Sequence, residues 1–125
     1  MKTIQAIKID SENESISLIE IPKYNNLHII QSLIKCKTIT GFQLDEYHFC
    51  YVNDEGLFCK PGYFFCIEGF NILPGDALIV GTNHKNGRDV SVKDDYLIQL
   101  LEDTIFMSLH RKTGNKIEKM EMGEF

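Results

Sequence analysis

The stretch HFCYVNDEGLFCKPGYFFC, His48 to Cys66, holds three of the four cysteines and one of the four histidines. As chemistry it suggests a metal site; as structure it suggests a β-hairpin that carries thiols. A zinc site needs about four ligands converging tetrahedrally, and sequence signals for one place them in close pairs such as C-x-x-C. Here Cys50, Cys59 and Cys66 stand nine and seven residues apart, with no close pair. His48 and Cys50 share one strand face, and Cys59 approaches them across the turn, so the geometry is permissive but the spacing is wrong. The alternative makes the thiols small hydrophobes among Phe49, Tyr51, Phe58, Phe64 and Phe65. We therefore expect a hairpin turning at NDEG, with no metal and no cofactor.

Outward from this stretch, the pattern is that of an α+β chain. Towards the N-terminus, KTIQAIKI places Ile4 and Ala6 in alternation and then, after a shift, Ile7 and Ile9, which predicts a strand. The polar turn DSENES leads to a second strand, SISLIEI, stopped by Pro22. NNLHIIQSLIKCK carries Leu27, Ile30, Leu33 and Ile34 at helical spacing and predicts about three turns capped by Asn25 or Asn26. ITGFQL and YHFCYV read as strands. On the C-terminal side, YFFCIEGFNI is apolar enough to be buried, and LPGD turns into the strand ALIVGT. A polar loop and a short strand, VSV, follow. Ser91 to Asp94 resembles a capping box opening a helix with Leu97, Leu100, Leu101, Ile105 and Ser108 on one face. The expected fold is a twisted, mostly antiparallel sheet with two helices in one domain over residues 1–109, followed by a polar tail or arm over residues 110–125.

Composition bounds the function. The 125 residues suffice for one core without staples, and 43% are hydrophobic. No apolar run approaches the roughly 18 residues of a membrane span. The N-terminus alternates apolar and polar residues, unlike a signal peptide, so a cytoplasmic protein with reduced thiols is expected. Asn13-Glu14-Ser15 is then a glycosylation acceptor without a secretory route. The net charge of −5 argues against a duplex-binding face, which needs a basic surface.

Catalytic signatures are missing from the sequence. There is no G-x-S-x-G elbow, no Walker loop and no G-x-G-x-x-G. The doublets Asp45-Glu46, Asp54-Glu55, Asp94-Asp95 and Glu102-Asp103 are chain neighbours, which point apart on any regular element. One loop stands out. GTNHKNGRD, Gly81 to Asp89, gathers Asn83, His84, Lys85, Asn86 and Arg88 with no acid before Asp89. Such donors at a glycine-permitted turn suit a phosphate or carboxylate, although Asn-Gly is also an ordinary turn dipeptide. Lys60 and Tyr63 are possible helpers, and an aromatic such as Tyr51, Tyr63 or Phe70 would stack a base if the fold brought it close.

The order of the strand pair MKTIQAIKI and ISLIEI, the helix NLHIIQSLI, then YVNDEGLF, ILPGDALIVGTN and NGRDVSVKDDYLIQLLE resembles the small phage- and plasmid-borne domain-of-unknown-function family DUF3846 over about residues 2 to 103. The family pattern continues after its hairpin with a short L-P-x-N segment, where this chain has CKPGYFFCIEGFNILPGD; that segment and the tail diverge. The resemblance implies no catalytic residues. It implies the company of viruses and mobile elements, where small proteins often inhibit host defences. The resulting expectation is a non-enzymatic, homo-oligomeric accessory protein that sequesters a phosphorylated nucleotide immune signal through Asn83, His84, Lys85 and Arg88, with Lys60 and Tyr63. The alternatives are an inhibitor that binds a host defence protein through Tyr63–Phe70 or the tail, and a small metalloenzyme.

Overall fold

The computed structural model describes residues 2–54, 62–83, 85–112 and 116–122. Its first strand, β1 (Thr3–Asp10), explains the apparent shift of alternation in the sequence. Ile4 and Ala6 are buried on one face and Ile7 and Ile9 on the other. The strand is covered on both sides, so both of its residue sets are apolar. β1 pairs antiparallel with β2 (Ser15–Pro22) from Thr3 opposite Pro22 to Asp10 opposite Ser15. Asn13 closes the hairpin by donating its backbone N–H and its amide to the two Asp10 carboxylate oxygens at 3.1 and 2.9 Å.

The expected class stands: among the described residues there are two helices and antiparallel strands, with the strands divided between two sheets. The larger sheet runs β2, β1, β7 (Ala77–Thr82), β4 (His48–Asn53), β3 (Ile39–Gln43), and the short β8 (Asp89–Val90) pairs with the far end of β7. The smaller runs β10 (Lys116–Met122), β9 (Thr104–Lys112), β5 (Tyr63–Ile67), β6 (Leu73–Pro74). ALIVG, the buried part of β7, is apolar throughout because β7 is central and covered on both faces.

Two cores flank the larger sheet. On one face Ile4, Ala6, Ile21, Leu78 and Val80 pack against Ile30 of α1 (Leu27–Leu33) and the following Ile34. On the other, Ile7, Ile9, Cys50, Val52 and Ile79 meet Phe65 and Ile67 of the smaller sheet and Tyr96 and Leu100 of α2 (Tyr96–Asp103). Each large apolar side chain so buried contributes roughly 1.5–3 kcal/mol.

Several local expectations are corrected. The hairpin from His48 to Cys59 does not form along β4, because β3 and β7 occupy its two edges. Residues 55–61, including Cys59 and Lys60, lie outside the described residues. The first helix spans Leu27–Leu33, fewer turns than expected, and Lys35 beyond it sits in the left-handed region at φ 57°. Leu27 is exposed, and Asn26 donates its amide to the Pro22 carbonyl and caps no helical N–H.

Ser91 likewise opens no capping box; its hydroxyl accepts from the Gln5 N–H at 2.9 Å, and α2 starts five residues later. Ile105 and Ser108 leave the helix for β9, where Cys66 and Tyr63 of β5 stand opposite them. Tertiary pairing overrides a helical stripe whose continuation is coincidental. Residues 116–122, within the expected tail or arm, form β10 beside β9.

Candidate functional site

Among the described residues, two constellations stand as candidate sites. The first is built on His48, 2% exposed on the core face of β4 beside Cys50. Its Nδ1 lies 3.0 and 3.1 Å from the two carboxylate oxygens of Asp45, and the Lys93 N–H donates to Nε2 at 3.1 Å. Nε2 therefore carries no proton, and Nδ1–H donates to Asp45. An Asp–His pair suggests a catalytic dyad, but here neither ring nitrogen is free to take a proton from a substrate. Cys50 beside it is fully buried, and burial pushes its thiol up to about 12, the reverse of an activated nucleophile. Among the described residues, no group of three or more His, Cys, Asp or Glu is placed to hold a metal ion. His48 acts as a pin between the β3–β4 turn and the segment entering α2.

The second constellation is an open cleft of about 340 Å³ where the β2–α1 turn faces the end of the 83–88 loop. Lys23, Tyr24 and Asn25 form one wall and Gly87, Arg88 and Asp89 the other. Asn25 is in the left-handed region at φ 53°, and Gly87 likewise at φ 69°. The Lys23 ammonium lies 5.6 Å from the centre of the Tyr24 ring, which is 51% exposed. At the cleft's margin the Tyr51 hydroxyl lies 3.0 and 2.9 Å from the two Asp89 carboxylate oxygens. Burial raises the Asp89 carboxyl above the usual range, against the lowering effect of the Tyr51 hydrogen bond.

The residues singled out in the sequence divide. Arg88 lines the cleft. Asn83 and Lys85 belong to the same loop, but four of its backbone donors, those of Asn83, Lys85, Gly87 and Arg88, are engaged within it. Asn83 N–H donates to the Arg88 carbonyl and Gly87 N–H to the Asn83 carbonyl, at 3.0 and 2.8 Å. Lys85 and Arg88 N–H donate to the side-chain oxygens of Asn83 and Asn86, both at 2.9 Å. Those four N–H groups are not free for an anion, which would meet the cationic side chains instead. His84 and Lys60 lie outside the described residues. Tyr63 stands in β5 of the smaller sheet and is not part of the cleft.

Lys23, Tyr24 and Asn25 escaped the sequence reading. They sit just past Pro22, where the pattern signalled a strand end and a helix cap. The β1–β2 pairing and the β7–β8 return bring them to Arg88.

Among the described residues, no helix is long and apolar enough to cross a membrane. No curated protein and no solved structure matches the chain at a significant level. A family model described as "Domain of unknown function (DUF3846)" matches residues 1–105. That match takes in β1 through α2, including both walls of the cleft, and the chain belongs to this family.

Proposed function

We propose that this chain is a non-enzymatic binding protein that sequesters a phosphorylated nucleotide in the cleft between Lys23–Asn25 and Gly87–Asp89. The observation that supports the reading is the meeting of two cations, Lys23 and Arg88, with the half-exposed ring of Tyr24 in one cleft. Phosphate oxygens suit the guanidinium and ammonium groups. A base has the Tyr24 face to stack on, at roughly 1–3 kcal/mol per stacked base. The Asp89 carboxylate accepts from a ribose hydroxyl or an exocyclic amine. A volume of about 340 Å³ falls at the small end of ligand clefts and suits a mononucleotide better than a longer chain.

Sequestration of a nucleotide signal of host defence is the biological form of this proposal, drawn from the mobile-element setting that the family resemblance implies. A second reading, inhibition by docking on a host defence protein, draws on the apolar pocket of about 140 Å³ formed by Phe42, Phe70, Asn71 and Leu73, beside the exposed Ile72.

Isothermal titration of the full chain with AMP, ATP, cyclic AMP and inorganic phosphate tests the first reading. We expect one of the nucleotides to bind, and Lys23→Ala and Arg88→Ala each to weaken it about tenfold, roughly 1.4 kcal/mol. Absence of nucleotide binding, or binding untouched by the double variant, overturns it.

A further inference from the structure

We propose that the free edge of β2 is a self-complementary seam through which two copies of the chain pair antiparallel, joining their larger sheets into one. The inference does not rest on the nucleotide reading.

β2 ends the larger sheet, and among the described residues no strand pairs on its outer side. The hydrogen-bond phase of that edge follows from one bond. Lys23 N–H donates to the Lys2 carbonyl at 3.0 Å, so residues 2 and 23 form a hydrogen-bonded pair continuous with the β1–β2 register. Such pairs alternate along an antiparallel ladder. Ser15, Ser17, Ile19 and Ile21 therefore bond to β1, and Ile16, Leu18 and Glu20 direct their N–H and C=O groups outward. The next outward carbonyl, that of Pro22, already accepts from the Asn26 amide. The unpaired edge runs from Ile16 to Glu20.

Edge strands usually carry a lysine, an internal proline or a bulge that discourages pairing. SISLIEIP has no lysine, one charge at Glu20 and a proline only at its end, and its register to β1 is unbroken. The edge therefore favours a strand as its occupant, and its phase favours a second copy. A two-fold axis at Leu18 sets Leu18 against itself and Ile16 against Glu20 on both sides, forming about six hydrogen bonds. The two Glu20 carboxylates stand apart instead of opposing one another. The same register brings Lys23 level with the second copy's β1–β2 turn, where Glu12 and Glu14 are exposed. Opposite charges meet at both ends of the seam.

The apolar surface agrees with this axis. Leu18, Ile98 and Leu101 are 47%, 62% and 55% exposed, and α2, which carries the last two, packs against β2. Pairing at Leu18, which shares its sheet face with Ile7, sets the two Leu18 side chains side by side at the axis, where each gains cover.

Sedimentation velocity of the full chain over a wide concentration range tests the proposal, with hydrogen exchange read at single amides. The expected result is a dimer of the 14.4 kDa chain. The Ile16, Leu18 and Glu20 amides should be protected at high concentration and exchange freely on dilution. Leu18→Lys should yield a monomer that still melts cooperatively. Leu18→Pro should do the same, because the N–H it removes makes no bond within the monomer. A chain that stays monomeric at every concentration overturns the proposal. So does a dimer that survives Leu18→Lys, or one whose Leu18 amide exchanges as freely at high concentration as at low. None of these variants touches Arg88 or Tyr24, so failure of the seam and failure of the nucleotide cleft are read separately.

Discussion

The imidazole of His48 lies flat on the ring of Tyr96, with centroids 3.6 Å apart and planes 7° from parallel. The stack joins β4 of the larger sheet to the first turn of α2, and the hydrogen bonds of His48 to Asp45 and Lys93 fix its plane. His48→Ala removes the stack and both bonds and should destabilise the fold by about 3 kcal/mol in urea unfolding. His48→Phe keeps the ring but leaves the Lys93 N–H without its acceptor, while Asp45 still accepts from the Tyr47 N–H, at a smaller cost of roughly 1–3 kcal/mol. A catalytic His48 would instead show its loss in activity with the melting curve unchanged.

Gly81 is required by space, and Gly87 by conformation. A Cβ at Gly81 would strike the backbone carbonyl of Ser91, where the chain returns along β8. At Gly87 a Cβ meets nothing, but φ is +69°. Gly81→Ala should cost more than about 3 kcal/mol or prevent soluble expression, because backbone cannot yield as a side chain can. Gly87→Ala should cost only about 1–2 kcal/mol, the strain of a left-handed residue. Thermal melts of the two variants side by side check the ranking.

Asp76 predicts a pH effect of definite sign. It is buried and accepts the Ser11 N–H at 3.2 Å through Oδ1, while Oδ2 has no hydrogen-bond partner among the described residues. The Lys35 ammonium is 3.6 Å away but largely exposed, so the pair is weak. Burial is the largest influence and raises the carboxyl above its ordinary value. The folded state thus holds its proton more tightly than the unfolded chain does. The contribution to stability is present below the unfolded value and lost as pH rises through the folded one. Asp76→Asn removes this loss. The melting temperature of the variant, relative to the parent, should rise between pH 4 and pH 7; a constant difference would contradict the assignment.

Cys50 should be inert while the protein is folded. It has no solvent exposure, and burial raises its thiol to about 12. Iodoacetamide at mildly alkaline pH, with the sites mapped by mass spectrometry, should leave Cys50 unmodified until denaturant is added. Early labelling at Cys50 would mean that the β4–β7 region opens in the native state.

Much of the strand pattern was legible. Alternation in SISLIEI, the continuous apolar run ALIVGT and the turn residues between them mark real elements, because a strand's burial is written into its local residue order. The same local logic failed at His48 to Cys66. NDEG is an adequate hairpin turn, but the partners of β4 are β3 and β7, the latter about thirty residues further along the chain. Nothing in the turn reports that competition. Ile105 and Ser108 extend the α2 stripe at the right spacing, yet the edge of β5 claims them for β9.

The candidate site divides along the same line. The sequence by itself determined the two-helix, antiparallel class, the absence of close-paired metal ligands and the concentration of donors at Gly81–Asp89. Each of these depends on residue type and near-neighbour spacing. Only the tertiary structure decided that both nitrogens of His48 are occupied, that the N–H groups of Asn83, Lys85, Gly87 and Arg88 are engaged within their own loop, and that Lys23 and Tyr24 share a cleft with Arg88. Those facts depend on which strands pair and in what register. Pairing energies are spread over many contacts between distant segments, and short-range pattern carries little record of them.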